Sequence, residues 1–121
     1  MKPKMRYDRP TMQIDIYTKN VELNQTLRTF VEEKIGDLEH LLGDVGPVRA
    51  HVEVGLPSQH HQKGAVYYAE ANLDLNGQVL RAESTNYDLH AAIVDVKDDL
   101  KVQIAKYKER MQDTQRHPDE A

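Results

Sequence analysis

The chain reads as a single α+β domain in the order β-α-β-β-β-α, a four-stranded mixed sheet with two helices on one face. Three observations predict it. Four segments alternate apolar and polar residues with period two, and two longer segments repeat apolar residues every three or four positions. Asn76-Gly77 lies between two of the alternating segments and is the strongest short hairpin signal. The 121 residues hold no internal repeat or low-complexity tract, which fits one domain burying about two thirds of its unfolded surface.

The elements follow in order. Residues 1–11 include two prolines and no hydrophobic period, so they read as a flexible basic arm. In "MQIDIYT" Met12, Ile14 and Ile16 point one way and Gln13, Asp15 and Tyr17 the other, the pattern of a half-buried strand. Asn24 is an N-cap, with Leu23 placed to pack back on the first turn. Leu27, Phe30, Val31, Ile35, Leu38, Leu41 and Leu42 then predict one helix of about five turns, stopped by Gly43 and Gly46-Pro47.

Val48, Ala50, Val52, Val54 and Leu56 alternate with Arg49, His51, Glu53 and Gly55 in a second strand. After the polar loop "PSQHHQKG", Ala69, Ala71, Leu73 and Leu75 alternate with Tyr68, Glu70, Asn72 and Asp74. The Asn76-Gly77 turn leads into "QVLRAE", with Leu80 and Ala82 inward. "STNYD" supplies caps for a last helix whose buried stripe is Leu89, Ile93, Val96, Leu100, Ile104, Tyr107 and Met111. The domain is expected to span 12–111, with 112–121 a polar, frayed tail. A right-handed crossover pairs the first strand in parallel with a neighbour, and hairpins join the last three. The sheet's other face stays polar.

Composition bounds the function. No cysteine is present, so disulfides, thiolate nucleophiles and cysteine zinc sites are excluded. No apolar run reaches the ~18 residues of a membrane span, and no signal-type segment opens the chain, consistent with a cytoplasmic protein. The two serines, Ser58 and Ser84, lie in loop-like segments with no histidine placed to activate them. Glu32-Glu33 and Asp98-Asp99 fall on exposed helical positions. His60-His61 have no third ligand nearby, so no metal and no cofactor is expected. The chain reads as non-catalytic, with no small-molecule substrate.

Charge is uneven. Lys2, Lys4, Arg6 and Arg9 against Asp8 make the arm net +3, inside a total of -4. "KDDLKVQIAKYKER" (97–110) carries Lys97, Lys101, Lys106, Lys108 and Arg110. At about 100° per residue, His90, Lys97, Lys101 and Lys108 line one border of the buried stripe. The other border has Asp95 and Asp99 first, then Lys106 and Arg110. Two readings fit: a phosphate-contacting edge, or a solvated helix whose late cations suit the C-terminal end of its dipole.

"VELNQTLRTFVEEKI", "AEANLDLNG", "LRAE", "YDLHAAI" and "LKVQIAKYKER" follow one another with an order and spacing that resemble the ribosome hibernation factors. That family includes the hibernation-promoting factor and the ribosome-associated inhibitor, and the resemblance covers Met12 to Arg110. It implies the same β-α-β-β-β-α fold, similar to a double-stranded-RNA-binding domain. It also implies a protein held in the messenger and transfer RNA channel of the small ribosomal subunit, blocking translation by occupancy. Basic side chains would meet ribosomal RNA phosphates; DNA and membranes are not expected partners. Arg28, Lys34, Lys106, Lys108 and Arg110 match basic positions of the family, and Lys97 and Lys101 complete the expected RNA-binding set.

Some positions depart from the family pattern. Asp37 stands in "DLE" where "KLE" is common, Asp99 and Val102 replace Lys and Arg, and His90 replaces Tyr. Asp99 and Val102 share one side of the helix with Lys106 and Arg110, so these losses fall on the expected RNA face, and Lys101 or the basic arm could compensate. The alternative is a non-catalytic relative with a protein partner and weak or no RNA binding. The order of elements argues against an RRM. The long family members carry a second domain for ribosome pairing. With about ten residues after the last helix, the expectation here is action on single ribosomes.

Overall fold

The computed structural model describes residues 12–43, 48–57 and 66–116, and of residues 114–116 only the backbone. Its elements are β1 (Met12–Lys19), α1 (Gln25–Gly36), α2 (Glu39–Leu42), β2 (Val48–Gly55), β3 (Tyr67–Leu75), β4 (Gln78–Asn86) and α3 (Leu89–Arg116). The strands lie in the order β1-β2-β3-β4, with β1 parallel to β2 and the other neighbours antiparallel. α1, α2 and α3 bury their apolar residues against the inward side chains of all four strands in one core. That is the α+β arrangement expected from periodicity.

Local chemistry explains the boundaries. Asn24 Oδ1 accepts the Leu27 N–H at 2.9 Å and starts α1. Asn76 and Gly77 both take positive φ, 57° and 99°, as a two-residue hairpin between Leu75 and Gln78 requires. Asp88 caps α3: its Oδ1 accepts the His90 N–H at 3.0 Å and its carbonyl accepts Ala92 N–H at 3.0 Å.

Five expectations are corrected. The single five-turn helix is α1 plus the short α2. Around Asp37 and Leu38 the chain tightens, Leu38 N–H reaching back three residues to Ile35 and Leu41 N–H to Leu38. The apolar spacing survives this tightening, since Leu38 and Leu42 stay buried, so periodicity alone could not reveal it. Ser84, Thr85 and Asn86 belong to β4 rather than to the cap, because their register with β3 continues to Tyr67↔Asn86. α3 runs to Arg116, and Met111 is 47% exposed because the helix has by then passed the sheet. Gly55 is buried rather than outward, pressed against Lys19. Leu56 follows β2 and donates its N–H to the Lys19 carbonyl.

The sheet's outer face is a polar network. Arg49 pairs with Asp15 at 3.3 Å, Tyr17 stacks on His51 at 4.5 Å, and Arg81 reaches Glu70 at 2.8 Å and Glu83 at 3.3 Å. The Tyr68 hydroxyl donates to Glu53 at 2.6 Å. Burial, then that bond to Glu53, pushes the Tyr68 phenol up to about 12 from 10.0. The folded state therefore favours the neutral phenol. The stability this contributes is full below the ordinary tyrosine range and is lost as pH rises through about 12. An ultraviolet titration of phenolate should show a late phase that Tyr68→Phe removes; an unchanged curve in Tyr68→Phe would contradict the assignment.

Candidate nucleic-acid interface

α1 and α3 start at the same end of the sheet and run parallel, so residues of increasing number face each other along one seam. At its head His90 meets the Phe30 ring edge-on at 4.4 Å, and Lys34 Nζ lies 5.5 Å from the same ring centroid. In the middle Lys97 Nζ lies 2.9 Å from Asp37 Oδ2. At its foot Lys108 Nζ donates to the Leu41 carbonyl at 2.7 Å, satisfying an acceptor of α2. Arg28, on the outer side of α1, is 3.8 Å from Glu32.

The seven expected RNA-binding residues therefore do not form one patch. Lys97 and Lys108 are engaged within the fold, and the Lys97 side chain is only 17% exposed. Lys101 is exposed between them. Lys106 and Arg110 are exposed on the opposite border of α3, beside Asp95 and Asp99. Arg28 and Lys34 stay on α1.

Asp37 has a role the sequence did not reveal. The Lys97 hydrogen bond, and then the Lys97 charge, hold its carboxyl below the usual carboxylate range, with His40 and Lys101 adding to the effect. Because its folded pKa is depressed, the stability it contributes is present above the unfolded value and is lost only as pH falls through the lowered one. Asp37 thus forms, with Lys97, a clasp between the end of α1 and α3. The i, j pairing across two helices has no local sequence signal, since the two residues are 60 apart.

Ser84 Oγ donates to Asp95 at 2.9 Å from within β4, which gives that serine a structural partner. His60, His61, Ser58 and the basic arm lie outside the described residues. Among the described residues no helix is long and apolar enough to cross a membrane.

Two parallel helices packed on one face of a β1-β2-β3-β4 sheet define a class of small α+β domain. A family model described as Sigma 54 modulation protein / S30EA ribosomal protein matches residues 14–112, and the chain belongs to that family. It is 35% identical over 100 residues to a ribosome hibernation promotion factor of Staphylococcus aureus (strain COL), covering 83% of this chain and 50% of that protein. Its identity to the protein of the same name from Lactococcus lactis subsp. cremoris (strain MG1363) is 34% over 100 residues, 83% of this chain and 51% of the other. The chain thus spans about half the length of these relatives. Among solved structures, the Thermus thermophilus Protein Y N-terminal domain superposes with a TM-score of 0.68 at 30% identity, covering 79% of this chain and 99% of that one. A ribosomal subunit interface protein from Coxiella burnetii shares the fold at a TM-score of 0.65 and 19% identity, over 81% of this chain and 99% of its own.

Proposed function

We propose that this chain is a ribosome hibernation factor that binds the small ribosomal subunit in the messenger and transfer RNA channel and inhibits translation by occupying it. The observation that supports this most is the paired-helix arrangement in a member of this family, with Lys34 and Lys101 beside the α1–α3 seam and Lys106 and Arg110 on the other border of α3. Cations so placed displace counterions from RNA phosphates, giving affinity without base reading. Lys97 and Lys108 act differently: they hold α1 and α2 against α3 and keep the face rigid. Arg28 adds charge at the outer flank of α1. Work in the channel is steric, and no bond is made or broken.

A different, protein partner is the second reading. The acids Asp95, Asp98 and Asp99 exposed on the first half of α3 favour it, because each would repel phosphate.

Binding to purified small subunits across a salt series tests the proposal residue by residue. Lys101→Glu should weaken binding about tenfold and lower the salt slope by roughly one contact. Asp37→Asn should release Lys97, raising affinity and steepening the slope by a similar increment. Wild-type binding in both variants would show that this seam is not the RNA face.

A further inference from the structure

We propose that the outer edge of β4 and the adjoining face of α3 form an isologous interface between two copies of this chain. β4 ends the sheet, and among the described residues no strand pairs with its outer edge, where the Arg81 and Thr85 carbonyls accept side-chain donors from Gln103 and Ser84. It is a nine-residue strand in unbroken register with β3, without proline or bulge, features that usually blunt such an edge. Its outward backbone groups belong to Val79, Arg81, Glu83 and Thr85, since Gln78, Leu80, Ala82 and Ser84 point theirs toward β3. An antiparallel pairing about a two-fold near Ala82 sets Arg81 of one copy opposite Glu83 of the other, and Glu83 opposite Arg81. The exposed Val79 then meets Thr85 of the second copy.

The helix above carries the same self-complementarity. The β4-side border of α3 reads Asp95, Asp99, Val102, Lys106, Arg110, with acids in the first half and cations in the second. The two-fold makes the helices antiparallel, so Asp99 of one copy faces Lys106 of the other and Asp95 faces Arg110. Val102, 53% exposed, lies near the axis and meets its own equivalent. Gln103 Nε2 donates to the Arg81 carbonyl at 2.8 Å, and Ser84 donates to Asp95. These bonds hold the middle of β4 against the middle of α3, so one axis serves both within the reach of a lysine side chain. The Arg81 carbonyl keeps a second lone pair for the partner strand. α3 packs over β3 and β4, and strands lie about 4.8 Å apart, which places the two α3 helices roughly 10 Å apart, an ordinary packing distance.

The other occupant to weigh is RNA, which would meet Lys106 and Arg110 but be repelled by Asp95 and Asp99. A second copy uses all four charges. If the ribosomal reading holds, self-association and ribosome binding compete for Lys106 and Arg110; the dimer itself does not depend on that reading.

Sedimentation equilibrium of the full chain, from about 5 µM to about 1 mM, tests the proposal. The mass should rise with concentration from 13.9 kDa toward twice that value. Asp99→Lys and Lys106→Asp should each raise the dimer dissociation constant about tenfold, because reversal acts at two symmetric contacts. The double variant, with the charges exchanged, should recover the original association. A monomer throughout the range would overturn the proposal, as would a dimer indifferent to both single reversals. Ribosome binding measured separately on the same variants keeps failure of the dimer distinct from failure of the ribosomal role.

Discussion

Leu100→Ala should lower the unfolding free energy by about 2–5 kcal/mol. Leu100 is fully buried midway along the stripe of α3, between Val96 and Ile104, and belongs to the core that α3 shares with the sheet. Removing three side-chain carbons there loses transfer energy and leaves a cavity that two packed layers cannot close. For a domain of this size the melting temperature should fall by roughly 10–20 °C. Leu100→Met, of similar volume, should cost less than about 1.5 kcal/mol. Equal losses in the two variants by thermal or denaturant unfolding would contradict the packing account. The helical face would also be lost with α3, so ribosome binding should fall in step with the folded fraction.

The second large effect is expected at Gly55. A Cβ built there would stand 2.5 Å from the Lys19 carbonyl oxygen and 3.1 Å from Lys19 Cβ. The first contact is with backbone and cannot be relieved by a side-chain rotation. That carbonyl also accepts the Leu56 N–H, and Asn20 Nδ2 donates to the Leu56 carbonyl at 2.9 Å, so movement would disturb the end of the parallel β1–β2 pair. Gly55→Ala should destabilise the domain by about 1–3 kcal/mol. Gly36→Ala is the control: its Cβ would meet only Ile14 Cδ1 at an ordinary 3.7 Å, and alanine suits the end of α1. Comparable losses at both glycines would mean that the contact with Lys19 is not the cause.

Much of the fold was legible because its signals are local. Period-two alternation found all four strands, and the Asn24 cap and Asn76-Gly77 turn found a helix start and a hairpin. The features that escaped depend on distant partners. Gly55 fits an alternating strand as an outward residue, and only the approach of Lys19 on another strand buries it. Met111 continues the spacing of the α3 stripe, but spacing does not say where the sheet ends. The basic border was readable as a helical angle; that Lys97 closes on Asp37 and Lys108 on Leu41 was not, because those partners arrive from α1 and α2. Asp37 illustrates the limit well. Against the family pattern it reads as a lost cation, whereas in the fold it is half of a tie between helices.

The most direct test of the ribosomal role is cosedimentation of the chain with purified small subunits, beside large subunits, across a salt series and with competing messenger and transfer RNA. Saturable binding to the small subunit is expected. It should weaken steeply with salt, with a log–log slope of about -0.7 to -0.9 per phosphate contact, and yield to the competitors. No saturable binding at low salt, or equal binding to both subunits that the competitors leave intact, would contradict it.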